Sequence, residues 1–186
     1  MNETSPSGAA REATFEELSG MPAFLESALG GLHAVEARMA GAGGAFAPVE
    51  HAWHLADLEV EGFSERLRRL LVEDGPLLAD FDGTRIAAER NYRARSLAEG
   101  LAAFRRAREA NLEVLRSIPD DGWERSGTQE GVGAIRVADL PGRMVDHDRV
   151  HRREIQEWLH GVPERFPERW RSVWGIDAPI QEEPPA

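Results

Sequence analysis

The chain has 186 residues, with 22 Lys and Arg against 33 Asp and Glu, a formal net charge of −11 at pH 7 and no cysteine. This length is enough for one domain with a hydrophobic core of its own. The lack of cysteine excludes disulfides, thiolate metal sites and a cysteine nucleophile. A negative charge of this size repels nucleic-acid phosphates and anionic membrane surfaces, and we therefore expect no nucleic-acid partner and no membrane partner.

The composition also bears on location and fold class. No run of residues is apolar enough to span a membrane, and the first 13 residues lack the basic and apolar regions of a signal peptide, which predicts a cytoplasmic protein. Ala, Leu, Glu and Arg dominate, which favours helices over sheet and predicts an all-α fold. We expect a disordered segment over 1–13, a single domain over 14–175 and a flexible tail over 176–186.

The spacing of apolar residues predicts four amphipathic helices, at about 16–40, 48–73, 97–118 and 137–160. Residues 74–95 contain Gly, Pro and Asp and are expected to hold at most a short helix. Aromatic residues after the last helix predict that the chain there packs on the body of the domain: Phe166, Trp170, Trp174.

Individual residues mark some of the helix ends. Pro22 is expected in the first turn of the first helix or at a break in it. Ser96 with Glu99 is typical of a capping box at the start of the third helix. On the second helix, Val60 belongs to the predicted apolar stripe, while Arg66 is expected on a solvated surface. The long connection over 119–136 is rich in Asp and Gly, and loops of that length are often functional.

Two histidines interrupt the apolar stripe of the fourth helix. His147 and His151 are one helical turn apart, between Met144 and Ile155, and therefore face the core. Imidazoles in such a place need polar partners, because burying them without any is costly. A metal ion is one such partner, and the i, i+4 spacing is the one by which helical histidines share a metal.

The second helix offers a third ligand. His54 lies between two apolar faces, and three histidines would leave a fourth metal position open for substrate. His51 is one turn away and could serve instead or assist. Glu50 and Asp57 flank His54 at helical spacing, and a carboxylate there could orient the imidazole. A solvated helix edge is the alternative interpretation of both carboxylates.

Two polar residues, Arg108 and Asn111, interrupt the apolar stripe of the third helix. An arginine near a metal pocket would bind a carboxylate or phosphate group of a ligand, which makes both residues substrate-binding candidates. The alternative is a structural arginine paired with a buried acid such as Glu130 or Asp148.

Several of these motifs resemble the DinB-like superfamily, which includes the bacillithiol- and mycothiol-dependent transferases. The resemblance covers roughly 48–158 and rests on four features in the family's order and spacing. They are the run Glu50-His51-Ala52-Trp53-His54-Leu55-Ala56-Asp57-Leu58-Glu59, Phe104 with Arg108, Trp123 before a Gly-rich loop, and the run Met144-Val145-Asp146-His147-Asp148-Arg149-Val150-His151.

The resemblance implies an up-down-down-up four-helix bundle that holds a divalent metal, most often zinc or nickel, on three side chains matching His54, His147 and His151. In characterised relatives the metal activates a low-molecular-weight thiol for transfer to a small molecule. A metal-dependent thiol S-transferase is therefore the leading hypothesis. A non-catalytic metal-binding or ligand-sensing module is the alternative, and metal-assisted hydrolysis is the third option because no general base stands out. Family precedent also suggests a homodimer.

Overall fold

The computed structural model describes residues 8–161, and long helices dominate them. The first long helix is α1, followed by the short α2. The second long helix consists of α3, a π-helical segment and α4. The helices are α1 Gly8–Leu29, α2 Ala34–Ala37, α3 Pro48–Asp57, the π segment Leu58–Ser64, α4 Glu65–Val72, α5 Gly83–Glu89, α6 Leu97–Ser117 and α7 Leu140–His160.

Side-chain contacts give the direction of each long helix. Glu12 pairs with Arg116, and Glu26, further along α1, pairs with Arg105, so α1 and α6 are antiparallel. Helices α1 and α7 are parallel, because Arg149 pairs with Glu17 and the later residue Arg152 lies over the ring of Phe24.

The second long helix runs parallel to α6. The indole of Trp53 donates to the carbonyl of Ser96 at the start of α6, and Asn111, further along α6, donates to Glu59. The long connection between the two helices, over 73–96, makes this parallel arrangement possible. The four long helices therefore run up, down, down and up, and the predicted four-helix bundle is confirmed.

A small sheet covers one end of the bundle. It contains β1 Leu77–Leu78, β2 Ser126–Gln129 and β3 Gly133–Arg136, in the order β1-β2-β3. Strand β1 is parallel to β2, and β2 is antiparallel to β3. The connection 119–136 is thus an ordered hairpin and not the plain loop that the sequence predicts. The two strands are too short to show the alternation of apolar and polar residues that predicts a strand, since Ile135 is their only fully buried apolar residue.

The first helix differs from its predicted bounds at both ends. It begins at Gly8, so residues 8–13 of the expected disordered segment are helical. Arg11 anchors this part, because its guanidinium lies 4.9 Å from the ring centre of Trp123 and pairs with Asp120. The helix ends at Leu29 and not near residue 40, since two glycines follow.

The predicted aromatic contacts of the tail and the flexible segment 176–186 lie outside the described residues.

None of the described helices combines the length and apolar character that crossing a bilayer requires.

Pro22 lies inside α1 and not in its first turn. A proline has no N–H, so the carbonyl of Leu18, four residues earlier, loses its helical partner. The Nη1 atom of Arg108 donates to that carbonyl at 3.1 Å. A buried side chain from another helix therefore replaces the missing backbone hydrogen bond.

The π-helical segment changes which residues of the second helix face the core. Val60, predicted in the apolar stripe, is 55% exposed, whereas Glu59 is 1% exposed. A π-helical turn contains more residues than an α-helical one, and therefore rotates the residues that follow. It brings the Glu59 carboxylate to 2.7 Å from Arg108 and 2.7 Å from Asn111.

Arg108 also binds Asp148 of α7, with N–O distances of 2.6 and 2.9 Å. Arg108 and Asn111, which both donate to Glu59, are thus structural, and the interpretation as substrate contacts is not supported by their positions. Of the two acids proposed as partners, Asp148 is correct, while Glu130 instead accepts from the backbone N–H of Asp80.

Replacing Arg108 with Met should destabilise the fold strongly. The change leaves Glu59 and Asp148 buried without their cation, which costs about 3–5 kcal/mol in comparable buried pairs. Urea unfolding followed by circular dichroism measures this change. The matched control is Arg105→Met, one turn away on α6, whose exposed pair with Glu26 contributes about 0–1 kcal/mol. Equal losses for the two variants would contradict the structural role of Arg108.

Candidate metal centre

Three imidazoles from two antiparallel helices converge inside the bundle. His54 comes from α3, and His147 and His151 come from successive turns of α7. The Nε2 atom of His147 lies 3.2 Å from Nε2 of His54 and 3.1 Å from Nε2 of His151. The ligand atoms of all three lie within 4.8 Å of one another. The structure therefore brings together the three residues predicted as metal ligands.

The nitrogen spacing fits a shared divalent ion. Zinc binds imidazole nitrogen at about 2.0–2.1 Å, and in tetrahedral geometry this places ligand atoms about 3.3 Å apart. The two short Nε2–Nε2 distances are close to that value. A divalent ion bound by all three Nε2 atoms would replace the short Nε2–Nε2 contacts.

Aromatic rings and one glycine hold the His54 imidazole. Its ring centre lies 5.4 Å from that of Phe46 and 5.9 Å from that of Phe81. Its Nδ1 atom is buried and has no hydrogen-bond partner within residues 8–161. Gly83 of α5 is so close that a Cβ atom there would lie 2.6 Å from this Nδ1. Within this part of the chain, the Nδ1 side of the ring is therefore held by packing and not by a hydrogen bond.

A carboxylate orients His151. Glu154 accepts from its Nδ1 at 2.9 Å, on the side of the ring opposite the converging Nε2 atoms. A carboxylate in this position fixes the tautomer that leaves Nε2 free to bind a metal. Sequence analysis missed Glu154, although a carboxylate one helical turn after a candidate ligand is the signal that would have found it.

His51 contacts His151 on the side away from the converging Nε2 atoms and is not one of the three converging ligands. It is 1% exposed, and its Nδ1 lies 3.0 Å from Nδ1 of His151 and 3.9 Å from Glu154. His51, His151 and Glu154 thus form a second polar cluster that shares His151 with the first.

Glu50 and Asp57, predicted to orient His54, are occupied elsewhere. Glu50 caps the start of α3 by accepting from the backbone N–H of Ala47 at 2.8 Å, and it pairs with Arg93. Asp57 accepts from the Tyr92 hydroxyl and from Arg90. The helical period turns both carboxylates away from the ring that they flank in sequence.

Burial keeps the imidazoles of His51, His54 and His147 neutral. Desolvation, followed by the charge of neighbouring histidines, lowers the pKa of His54 to about 4 and that of His147 to about 2. The same causes lower the pKa of His51 to about 3. A neutral imidazole is the form that binds metal, so these rings need no deprotonation near pH 7.

The chain belongs to the DinB superfamily, whose family model matches residues 17–155. The predicted family resemblance is therefore confirmed.

Among solved structures, the fold is similar to that of YfiT from Bacillus subtilis, described as a "probable metal-dependent hydrolase with an unusual four-helix bundle topology". The TM-score is 0.78 at 18% sequence identity, over 90% of this chain and 93% of that one. At this identity the likeness supports the bundle architecture. No curated protein matches the sequence.

The metal-free protein should lose stability as the pH falls from 7.5 to 5.5. Histidines of the unfolded chain bind protons near pH 6.5, whereas His51, His54 and His147 stay neutral in the fold until about pH 3, 4 and 2. The unfolded state thus binds more protons in this window, and each buried histidine lowers the free energy of unfolding by about 1 kcal/mol at pH 5.5.

Thermal melts in chelator at the two pH values measure this loss. The exposed-histidine variant His33→Asn should keep the full loss, and His147→Asn should show a smaller one. Equal melting temperatures of the wild type at pH 7.5 and 5.5 would contradict the burial of neutral imidazoles.

Replacing Gly83 with Ala should weaken metal binding without removing a ligand. The new Cβ would displace the His54 ring, and disturbing the support of a metal ligand typically costs about 10–100-fold in affinity. Competition titration with a chromophoric chelator measures the affinity. The control is Gly142→Ala on α7, where no atom lies within 4 Å of the added Cβ. Unchanged affinity in Gly83→Ala would show that the ring does not depend on this contact.

Proposed function

We propose that the protein is a metal-dependent enzyme of the thiol S-transferase type, acting on a small molecule. In this proposal His54, His147 and His151 hold one divalent ion, zinc or nickel, and a low-molecular-weight thiol is the second substrate. The observation that carries the proposal is the convergence of the three Nε2 atoms inside the bundle.

Three protein ligands leave a tetrahedral position open, which is the arrangement of catalytic metal sites. A divalent ion there would lower the pKa of a thiol or a water molecule bound in the open position. The residues of the chain supply the surroundings. Glu154 fixes the tautomer of His151, and Phe46, Phe63 and Phe81 place apolar rings against the imidazoles.

The position of the carboxylates favours a thiol over water as the nucleophile. Glu154 belongs to the second polar cluster, accepts from Nδ1 of His151 and lies on the side of that ring away from the converging Nε2 atoms. A free thiol has a pKa of about 8.5 and water one of about 15.7, so a thiol needs far less help from a base. A site with its carboxylate turned away therefore suits thiol chemistry better.

Hydrolysis is the second candidate, and the description of YfiT as a probable metal-dependent hydrolase favours it. The third is a metal-binding or sensing module with a closed coordination sphere. Such a module needs a fourth protein ligand, but the Nδ1 of His51 contacts the Nδ1 of His151, and His51 is not part of the cluster of His54, His147 and His151.

Metal analysis of the purified protein tests the site. The wild type should bind about one divalent ion per chain after loading with zinc or nickel, and His147→Ala should bind far less, because two ligands hold an ion poorly. His33→Ala, which removes an exposed histidine, is the control and should bind as the wild type does. Failure of the loaded wild type to retain an ion would refute the proposal.

Turnover distinguishes the candidates. The loaded protein is given bacillithiol, mycothiol or glutathione with a chloronitrobenzene electrophile, and separately a nitrophenyl ester without thiol. Thiol conjugation that is lost in His147→Ala supports the transferase, and ester cleavage without thiol supports the hydrolase. Metal binding with neither activity favours the sensing module.

A further inference from the structure

Arg66, predicted on a solvated face of the second helix, is 8% exposed. It lies on α4, directly after the π-helical segment, whose extra residue rotates it inward. Its guanidinium carbon is 5.9 Å from the centre of the Phe63 ring. The Phe63 ring in turn meets the His147 imidazole edge to face, with centroids 6.3 Å apart. The Phe63 ring therefore contacts both the guanidinium and one imidazole of the candidate metal centre.

This buried cation lacks an anionic partner in the described part of the chain. Its one hydrogen bond there runs from Nη2 to the carbonyl of Ala79, at 3.3 Å, and its Nε atom is buried without a partner. Asp80, which follows Ala79, is the carboxylate whose charge acts on Arg66, but within residues 8–161 Arg66 forms no ion pair with it. Arg108, the other deeply buried arginine described above, binds two carboxylates.

A second cation lies nearby. Arg143 is half-buried on α7, one helical turn before His147 and on the same face. Burial, followed by the competing charges of Asp80 and Arg143, leaves the pKa of Arg66 below its ordinary value. An anion bound beside Arg66 and Arg143 would stabilise both charges.

We propose that Arg66 and Arg143 form an anion-binding subsite next to the three histidines, and that it holds a carboxylate or phosphate group of the substrate. Guanidinium is the side chain best suited to this task, because its planar donors match the two oxygens of such a group. The role of this subsite in turnover rests on the proposed function. Anion binding by the two arginines does not, since it requires no metal.

Titration with inorganic phosphate and with acetate tests the subsite, followed through the side-chain Nε–H signals of arginine in nuclear magnetic resonance spectra. The full chain is used both metal-loaded and in chelator, because anions also bind metal ions. One Nε–H signal of the wild type, absent in Arg66→Met, should shift and saturate in both forms. Arg66→Met should weaken anion binding at least tenfold in the chelator-treated protein.

The matched control is Arg68→Met, two residues away, which removes an exposed arginine paired with Glu65. It should bind both anions as the wild type does. Arg66→Met should also melt no lower than the wild type, because it removes a buried charge without stranding a partner; Arg66→Lys, which keeps a charge, should retain part of the binding.

Undiminished anion binding by Arg66→Met, or no saturable shift in the wild type, would overturn the subsite. Acetate binding more tightly than phosphate would assign a carboxylate substrate, and the reverse a phosphorylated one. Failure of metal binding or turnover would leave the titration in chelator unchanged, so the two proposals fail separately.

Discussion

The buried guanidinium of Arg108 joins all four long helices. It extends from α6 to the carbonyl of Leu18 on α1, to Glu59 on the second helix and to Asp148 on α7. Each contact fixes a rotation as well as a distance, because Asp148 directly follows His147 in sequence. The angle at which α7 presents its histidines is therefore set by a charge network that lies outside the metal centre.

The same network explains two features that would otherwise be costly. A proline within α1 leaves a carbonyl without its helical donor, and a π-helical segment interrupts the regular hydrogen bonding of the second helix. Arg108 satisfies the first, and the second delivers the carboxylate that Arg108 requires. Removing the cation alone would leave two buried anions, which is why we regard the group as one unit.

The sequence could predict those parts of the structure that follow a regular period. The predicted core-facing stripe of α7, which includes His147 and His151, is correct because nothing interrupts that helix. The same helical period predicted that His54 of the second helix lies between two apolar faces. The prediction failed for Val60 and Arg66, because a π-helical turn has no signature in the spacing of apolar residues. Gly83 was also missed, as its importance comes from a contact with a ring almost thirty positions earlier in the chain.

The π-helical segment separates two halves of one helix that have different tasks. The half before it carries His54, and the half after it carries Leu67 and Leu70, which pack in the core. Because the segment holds one residue more than an α-helix of the same rotation, a one-residue deletion within 58–64 could restore a plain α-helix with both halves still in register, whereas a one-residue insertion would turn one half about its axis by roughly 100° relative to the other. The two directions of length change are therefore unequal in this short stretch, and a further insertion is the change that would separate the metal ligands from the core that supports them.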